Sequence, residues 1–133
     1  MERNTRQRQA VLDVIDHAGR ALTPSEILAL AQASVASLNL STIYRNLSAL
    51  QDDERIVKVM LPGQATRFEA ACVDAHKGGA HHAHHHHHFH CNACDRVYTL
   101  HGCPGPMKDL APKGFVVNTH EVTLHGLCAD CAA

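Results

Sequence analysis

The stretch His84-His85-His86-His87-His88-Phe89-His90-Cys91-Asn92-Ala93-Cys94, answered downstream by Cys128-Ala129-Asp130-Cys131, decides how the C-terminal half of this chain folds. Two residues between the cysteines of each pair let both sulfurs face one ion, and two such pairs close a tetrahedral zinc site. Four protein ligands leave no open position for a substrate, so Cys91, Cys94, Cys128 and Cys131 read as a structural zinc centre. A redox Cys-x-x-Cys would normally open a helix in a thioredoxin-like fold, whereas both pairs here adjoin strand-like sequence. The 33 residues between the pairs leave room for a small subdomain between the two knuckles.

The histidine run is internal, which sets it apart from an expression tag. Read as a strand, it places His84, His86, His88 and His90 on one face and His85 and His87 on the other, because side chains alternate. Two faces can serve two metal sites; the bland alternative is a low-complexity loop that binds transition metals loosely. Glu69 and Cys72 stand where the two halves of the chain join. A thiolate with two imidazoles and a carboxylate suits zinc, whereas iron(II) and manganese(II) sites lean on oxygen and nitrogen, so Cys72 tilts the metal identity. His120 lies on the same strand face as Val122 and can reach a second metal site, while Cys103 reads as a packing residue.

Upstream of the metal-rich half, Val11, Val14, Ile15 and Ala18 recur at helical spacing, a first helix that Gly19 ends. Thr23-Pro24-Ser25-Glu26 opens a second, with Thr23 as cap, Pro24 at the first position and Glu26 completing a capping box. Its core face is Ile27, Leu28, Leu30 and Ala31. A third helix over 40–50 buries Ile43, Leu47 and Leu50 and turns Ser41, Tyr44, Arg45 and Ser48 outward. Alternating residues 56–61, the turn Pro62-Gly63 and the return over 66–70 make a hairpin. Three helices and a hairpin form a winged helix-turn-helix. Beyond a linker rich in His, Gly and Ala, short strands are expected over 85–90, 96–100 and 114–125, with a short helix near Met107 to Leu110 between prolines. The fold class is therefore α+β, in three parts: a winged-helix domain over 1–71, a linker over 72–84 and a metal-binding unit over 85–133.

A chain of 133 residues makes one medium domain or two small ones, and a small one needs a staple such as zinc. Six cysteines without an apolar N-terminal leader fit a reducing cytoplasm better than a secreted disulfide scaffold. No apolar run approaches the ~20 residues that span a bilayer, so no membrane partner is expected. A net charge of -1 requires any DNA-binding surface to be local. Arg3, Arg6 and Arg8 fit phosphate contacts, or equally a solvated helix face.

These features together resemble the ferric uptake regulator family of bacterial metal-dependent repressors over nearly the whole chain. The resemblance rests on Ser41-Thr42-Ile43-Tyr44-Arg45-Asn46-Leu47, on Arg67-Phe68-Glu69, on the histidines before Cys91, and on Gly126-Leu127-Cys128-Ala129-Asp130-Cys131. It implies a homodimer that represses when a regulatory metal is bound. It maps DNA contact to the third helix, here Ser41, Thr42, Tyr44, Arg45 and Ser48, and a sensing site to Glu69, Cys72, His86 and His88. It maps an additional site to His85, His87 and His120. Cys72 looks most like the zinc uptake regulator branch. The chain departs from the family pattern in lacking a histidine before the second helix, where Arg20 and Ala21 stand, and a carboxylate near Thr99. These losses weigh against iron more than against zinc.

The reading is a cytoplasmic, non-enzymatic, zinc-responsive repressor of operator DNA. Zn2+ serves the structural site and regulates, with Fe2+ or Mn2+ as other sensing metals. An iron(II)- or peroxide-responsive repressor keeps the fold and changes the signal; a zinc-storage or metal-delivery protein would use the histidines without DNA. A metalloenzyme would need an open coordination position and a general base, which the sequence does not supply.

Overall fold

The computed structural model of the chain describes residues 2–71, 86–102 and 107–133. Cys72, His84, His85 and Cys103, with the linker expected over 72–84, lie outside the described residues. The chain divides into two compact units, Met1–Ala71 and Cys72–Ala133.

In the first unit, helix α1 (Glu2–Ala18) buries Val11, Leu12 and Ile15, while Val14 and Ala18 pack at the margin of the core. Gly19 then takes φ +65°, a left-handed conformation that ends the helix at little cost only for glycine. A two-residue strand, β1 (Arg20–Ala21), leads to Leu22, which exchanges two backbone hydrogen bonds of 2.8 Å with Phe68. Thr23 caps α2 (Pro24–Ala31): its hydroxyl accepts from the Glu26 N–H at 3.2 Å, and the Glu26 carboxylate accepts from the Thr23 N–H at 3.0 Å. Ile27 and Ala31 are buried, but Leu30, expected on the core face, is 47% exposed because it falls at the far margin of that stripe.

Asn39 caps α3 (Leu40–Asp52), accepting from the backbone N–H of Thr42 at 3.0 Å. Ile43, Leu47 and Leu50 are buried as their spacing requires. Strands β2 (Ile56–Val59) and β3 (Arg67–Ala70) pair antiparallel from Ile56 opposite Ala70 to Val59 opposite Arg67, and Gly63 turns the hairpin with φ +74°. Both strands are shorter than the alternation suggested. One hydrophobic core, running from Val11 to Phe68, draws on every helix and both hairpin strands. This is the expected winged helix-turn-helix.

In the second unit, β4 (His87–Cys91) lies between β5 (Val97–Leu100), antiparallel, and β6 (Thr123–Gly126), parallel. A 3₁₀ turn covers Met107–Leu110, and a short helix α4 (Ala129–Ala132) carries the last cysteine. The strand expected from residue 85 begins at His87, and that expected over 114–125 is confined to Thr123–Gly126. Apolar alternation is a capacity for pairing, and among the described residues no strand pairs with Phe115, Val116 or Val117; Phe115 and Val116 are 68% and 84% exposed. Val97 is the one buried aliphatic side chain among the described residues of this unit; Cys91 and Cys128 are buried as well. Among the described residues, no helix is long and apolar enough to cross a membrane.

Candidate functional site

The parallel pairing of β4 with β6 sets Cys91 opposite Gly126, which brings the second cysteine pair to the first across the long intervening sequence. The sulfurs of Cys91, Cys94, Cys128 and Cys131 all lie within 4.8 Å of one another. Cys94 and Cys128 are 3.8 Å apart, and all four cysteines are free of disulfides. A tetrahedron with zinc–sulfur bonds of about 2.3 Å has edges of about 3.8 Å, so the donor set fits zinc in size as well as in chemistry.

The surrounding dipoles favour thiolates. Cys91 Sγ accepts from the backbone N–H of Cys94 at 3.5 Å and of Cys128 at 3.4 Å. The first of these donors, with the second behind it, brings the Cys91 thiol down to about 6. Cys128 is lowered by the backbone N–H of Cys131, and the Tyr98 hydroxyl adds a hydrogen bond to the Cys128 sulfur. Hydrogen bonding to Cys128, then to Cys91, pushes Cys131 up to about 12: four sulfurs this close cannot all ionise without a cation between them. Zinc bound there would be a structural cross-link between β4 and the segment that follows β6.

The knuckle is braced from the histidine strand. Asp95 sits at φ +65° directly after Cys94, and its carboxylate accepts from His90 Nε2 at 2.6 Å. The Asn92 N–H donates to the Gly126 carbonyl at 2.7 Å, closing the same turn onto β6.

Among the described residues, the histidines form three ring pairs. His86 meets His101 edge-on with ring centroids 4.8 Å apart, and His87 lies 5.1 Å from His120. His90 meets His125 at 5.6 Å. The backbone N–H of Val122 donates to His87 Nδ1 at 3.1 Å, which places the proton of a neutral His87 ring on Nε2. A metal taken through that Nε2 would have to displace this hydrogen bond. His88 is buried in β4 opposite Thr99. Glu69 is buried in β3 of the first unit. Cys72 and His85, expected with these sets, fall outside the described residues.

On α3, Ser41, Tyr44, Arg45 and Ser48 are exposed, and Tyr44 is 54% accessible despite its large aromatic ring. Thr42, grouped with them from the sequence, is buried. Its hydroxyl donates to Asn39 Oδ1 at 3.1 Å and accepts from Arg45 Nη2 at 3.4 Å, so it steers Arg45 rather than reaching outward. Beside that face is a small polar cleft lined by Asn4, Gln7, Arg8, Thr42, Arg45 and Asn46. Arg8 donates to Asn46 Oδ1 at 3.4 Å across it, so two guanidinium groups from different helices border one cleft. Sequence reasoning missed His101, Asp95 and Tyr98. Alternation continued one step past Leu100 would have put His101 on the face of Thr99, but Asp95 and Tyr98 depend on a knuckle turn that no periodicity encodes.

A model of the ferric uptake regulator family matches residues 2–125 of the chain. The peroxide operon regulator of Bacillus subtilis (strain 168) is 23% identical over 134 residues, covering 98% of this chain and 84% of the relative. Among solved structures, the Helicobacter pylori ferric uptake regulator has a TM-score of 0.64 at 21% identity, over 96% of this chain and 80% of its own. A zinc uptake regulator complexed with zinc and DNA has a TM-score of 0.59 at 23% identity, over 95% of this chain and 81% of its own. With a two-unit α+β fold, a four-cysteine zinc knuckle and a family match that spans both units, the chain belongs to the ferric uptake regulator family of metal-responsive transcription regulators.

Proposed function

We propose that the protein is a zinc-responsive transcriptional repressor of the cytoplasm that binds operator DNA as a homodimer when its sensing site is loaded. Residues 1–71 form the DNA-binding domain, 72–84 the linker and 85–133 the metal-binding dimerisation domain. Ser41, Tyr44, Arg45 and Ser48 meet the major groove, with Arg8 on phosphate and Thr42 holding Arg45. Glu69, Cys72, His86 and His88 form the sensing site, and His85, His87 and His120 the additional one.

The observation that carries this reading is the outward face of α3, where an exposed tyrosine and arginine stand on a helix whose opposite face is buried in the winged-helix core. A solvated helix face has no need of a half-exposed tyrosine, whereas helix-turn-helix recognition uses such side chains on base edges and phosphates. The relative bound to zinc and DNA supports the same reading. Homodimerisation is supported by the apolar side chains the second unit leaves open, Phe115, Val116, Leu124 and Leu127, the last of which lines an apolar groove with Phe89, Tyr98 and Leu100. Donor chemistry supports zinc: a thiolate and two imidazoles suit it better than iron(II) or manganese(II). Metal bound at the sensing site fixes the winged helices in the arrangement that reaches successive major grooves, and a coupling of about 1–3 kcal/mol suffices for regulation.

Selection of double-stranded DNA from a random pool by the zinc-loaded protein tests the proposal. A pseudo-palindromic site is expected, retained by zinc and released on chelation of the labile metal. Recovery of no sequence preference, with metal binding intact, would favour metal storage and overturn the repressor reading.

A further inference from the structure

His101 belongs to none of the ligand sets considered so far, yet it faces one of them. The register of β4 against β5 pairs His87 with Leu100 and His88 with Thr99. Extended by one residue, it sets His86 directly opposite His101, and the two rings meet edge-on at 4.8 Å. Alternation puts His88 and Thr99 on that same face, so His86, His88 and His101 share one surface of the sheet. His101 is exposed and His86 half-buried, which leaves the pair open to an ion arriving from solvent.

We infer that His101 is a ligand of the regulatory metal, completing with His86 and His88 a three-imidazole set carried entirely by the C-terminal unit. The inference rests on the proposed sensing role of His86 and His88. Two imidazoles on one ion, each with a metal–nitrogen bond of about 2.0–2.1 Å, put their ring centres about 5 Å apart at a tetrahedral angle. The observed separation needs no backbone rearrangement to meet that value. Cross-strand neighbours are the closest residue pairs a sheet offers, so the strands themselves pre-position two of the three donors. Three neutral nitrogens favour zinc over manganese(II), which prefers oxygen.

The test uses the full-length protein with its tight zinc retained. Zinc affinity is measured by competition with a chromophoric chelator, and the ligand field by the absorption of cobalt(II) substituted at the labile site. His101→Ala should weaken zinc by about tenfold or more and change the cobalt(II) spectrum, as His86→Ala should. His101→Asp, which keeps a ligating group, should recover most of the affinity. Wild-type affinity and spectrum in His101→Ala, alongside weakened binding in His86→Ala, would overturn the role of His101 and leave the sensing site standing. Wild-type binding in both variants would overturn the sensing-site reading and this inference with it. Loss of the tight zinc in His101→Ala would likewise overturn it, by making His101 a structural residue.

Discussion

Removing the tight zinc should unfold the second unit and leave the first intact. The magnitudes follow from what each unit buries. The winged-helix unit closes a continuous core running from α1 through α3 into the hairpin. Among its described residues, the second unit buries one aliphatic side chain, Val97, worth about 1.5–3 kcal/mol. Ordering the five residues of β4 alone costs about 5–10 kcal/mol of backbone entropy at ~1–2 kcal/mol per residue. Val97 cannot offset that, and ladder hydrogen bonds return only about 0.5–1.5 kcal/mol each. A structural zinc contributes an apparent ~10–16 kcal/mol, the one contribution large enough to decide the balance. The assay is amide hydrogen exchange read by peptide before and after stripping with a strong chelator, and in a Cys128→Ala variant. Peptides covering β4, β5 and β6 should lose protection while those covering α1 and α3 keep it. Retained slow exchange in β4 of zinc-free protein would mean that a dimer interface, rather than the ion, supplies the missing core.

Three further perturbations probe the rest of the account. Arg45→Ala should weaken operator binding by about 1–3 kcal/mol and leave the melting profile unchanged; by anisotropy titration over a range of salt, unaltered affinity would exclude Arg45 from the interface. Asn39→Ala removes the α3 cap and the acceptor of the Thr42 hydroxyl. Each loss costs about 1 kcal/mol, so the unfolding midpoint of the first unit should fall clearly in a denaturant melt, and an unshifted midpoint would contradict the capping role. Glu26 is raised by burial, but its Arg20 and Thr23 hydrogen bonds outweigh this and leave its carboxyl below 4.5. Its contribution is present above that pH and fades as the pH falls through the lowered value. Glu26→Gln should therefore cost up to about 1 kcal/mol at pH 7, the partial exposure of the ion pair keeping the figure small, and the gap to the parent should close in acid. A gap that widens on acidification would reverse the assignment.

The winged helix was legible because its signals are local. Thr23-Pro24-Ser25-Glu26 makes its capping box within four residues, Gly19 and Gly63 take the positive φ their positions require, and Ile43, Leu47 and Leu50 fall on one helical face. The zinc knuckle was legible because thiolate spacing is dictated by the ion. Legibility fails where partners come from afar or from another chain. Phe115, Val116 and Val117 read as strand on apolar pattern, yet among the described residues nothing pairs with them. Thr42 joins the DNA contacts through the family resemblance and not through helical phase, which turns only Ser41, Tyr44, Arg45 and Ser48 outward; in the structure Asn39 and Arg45 on either side of it share its hydroxyl. His101 was passed over because its meaning depends on the register of β5 against β4, which is set by cross-strand pairing and not by spacing along the chain.

The most direct test of the central claim is a titration of zinc, iron(II) and manganese(II) against binding of a selected fluorescent operator, with the tight zinc site kept filled throughout. Zinc should tighten binding about 5–150-fold, iron(II) and manganese(II) should act only at higher concentration, and operator DNA should tighten zinc by the same factor. Operator affinity that no metal alters would contradict that claim.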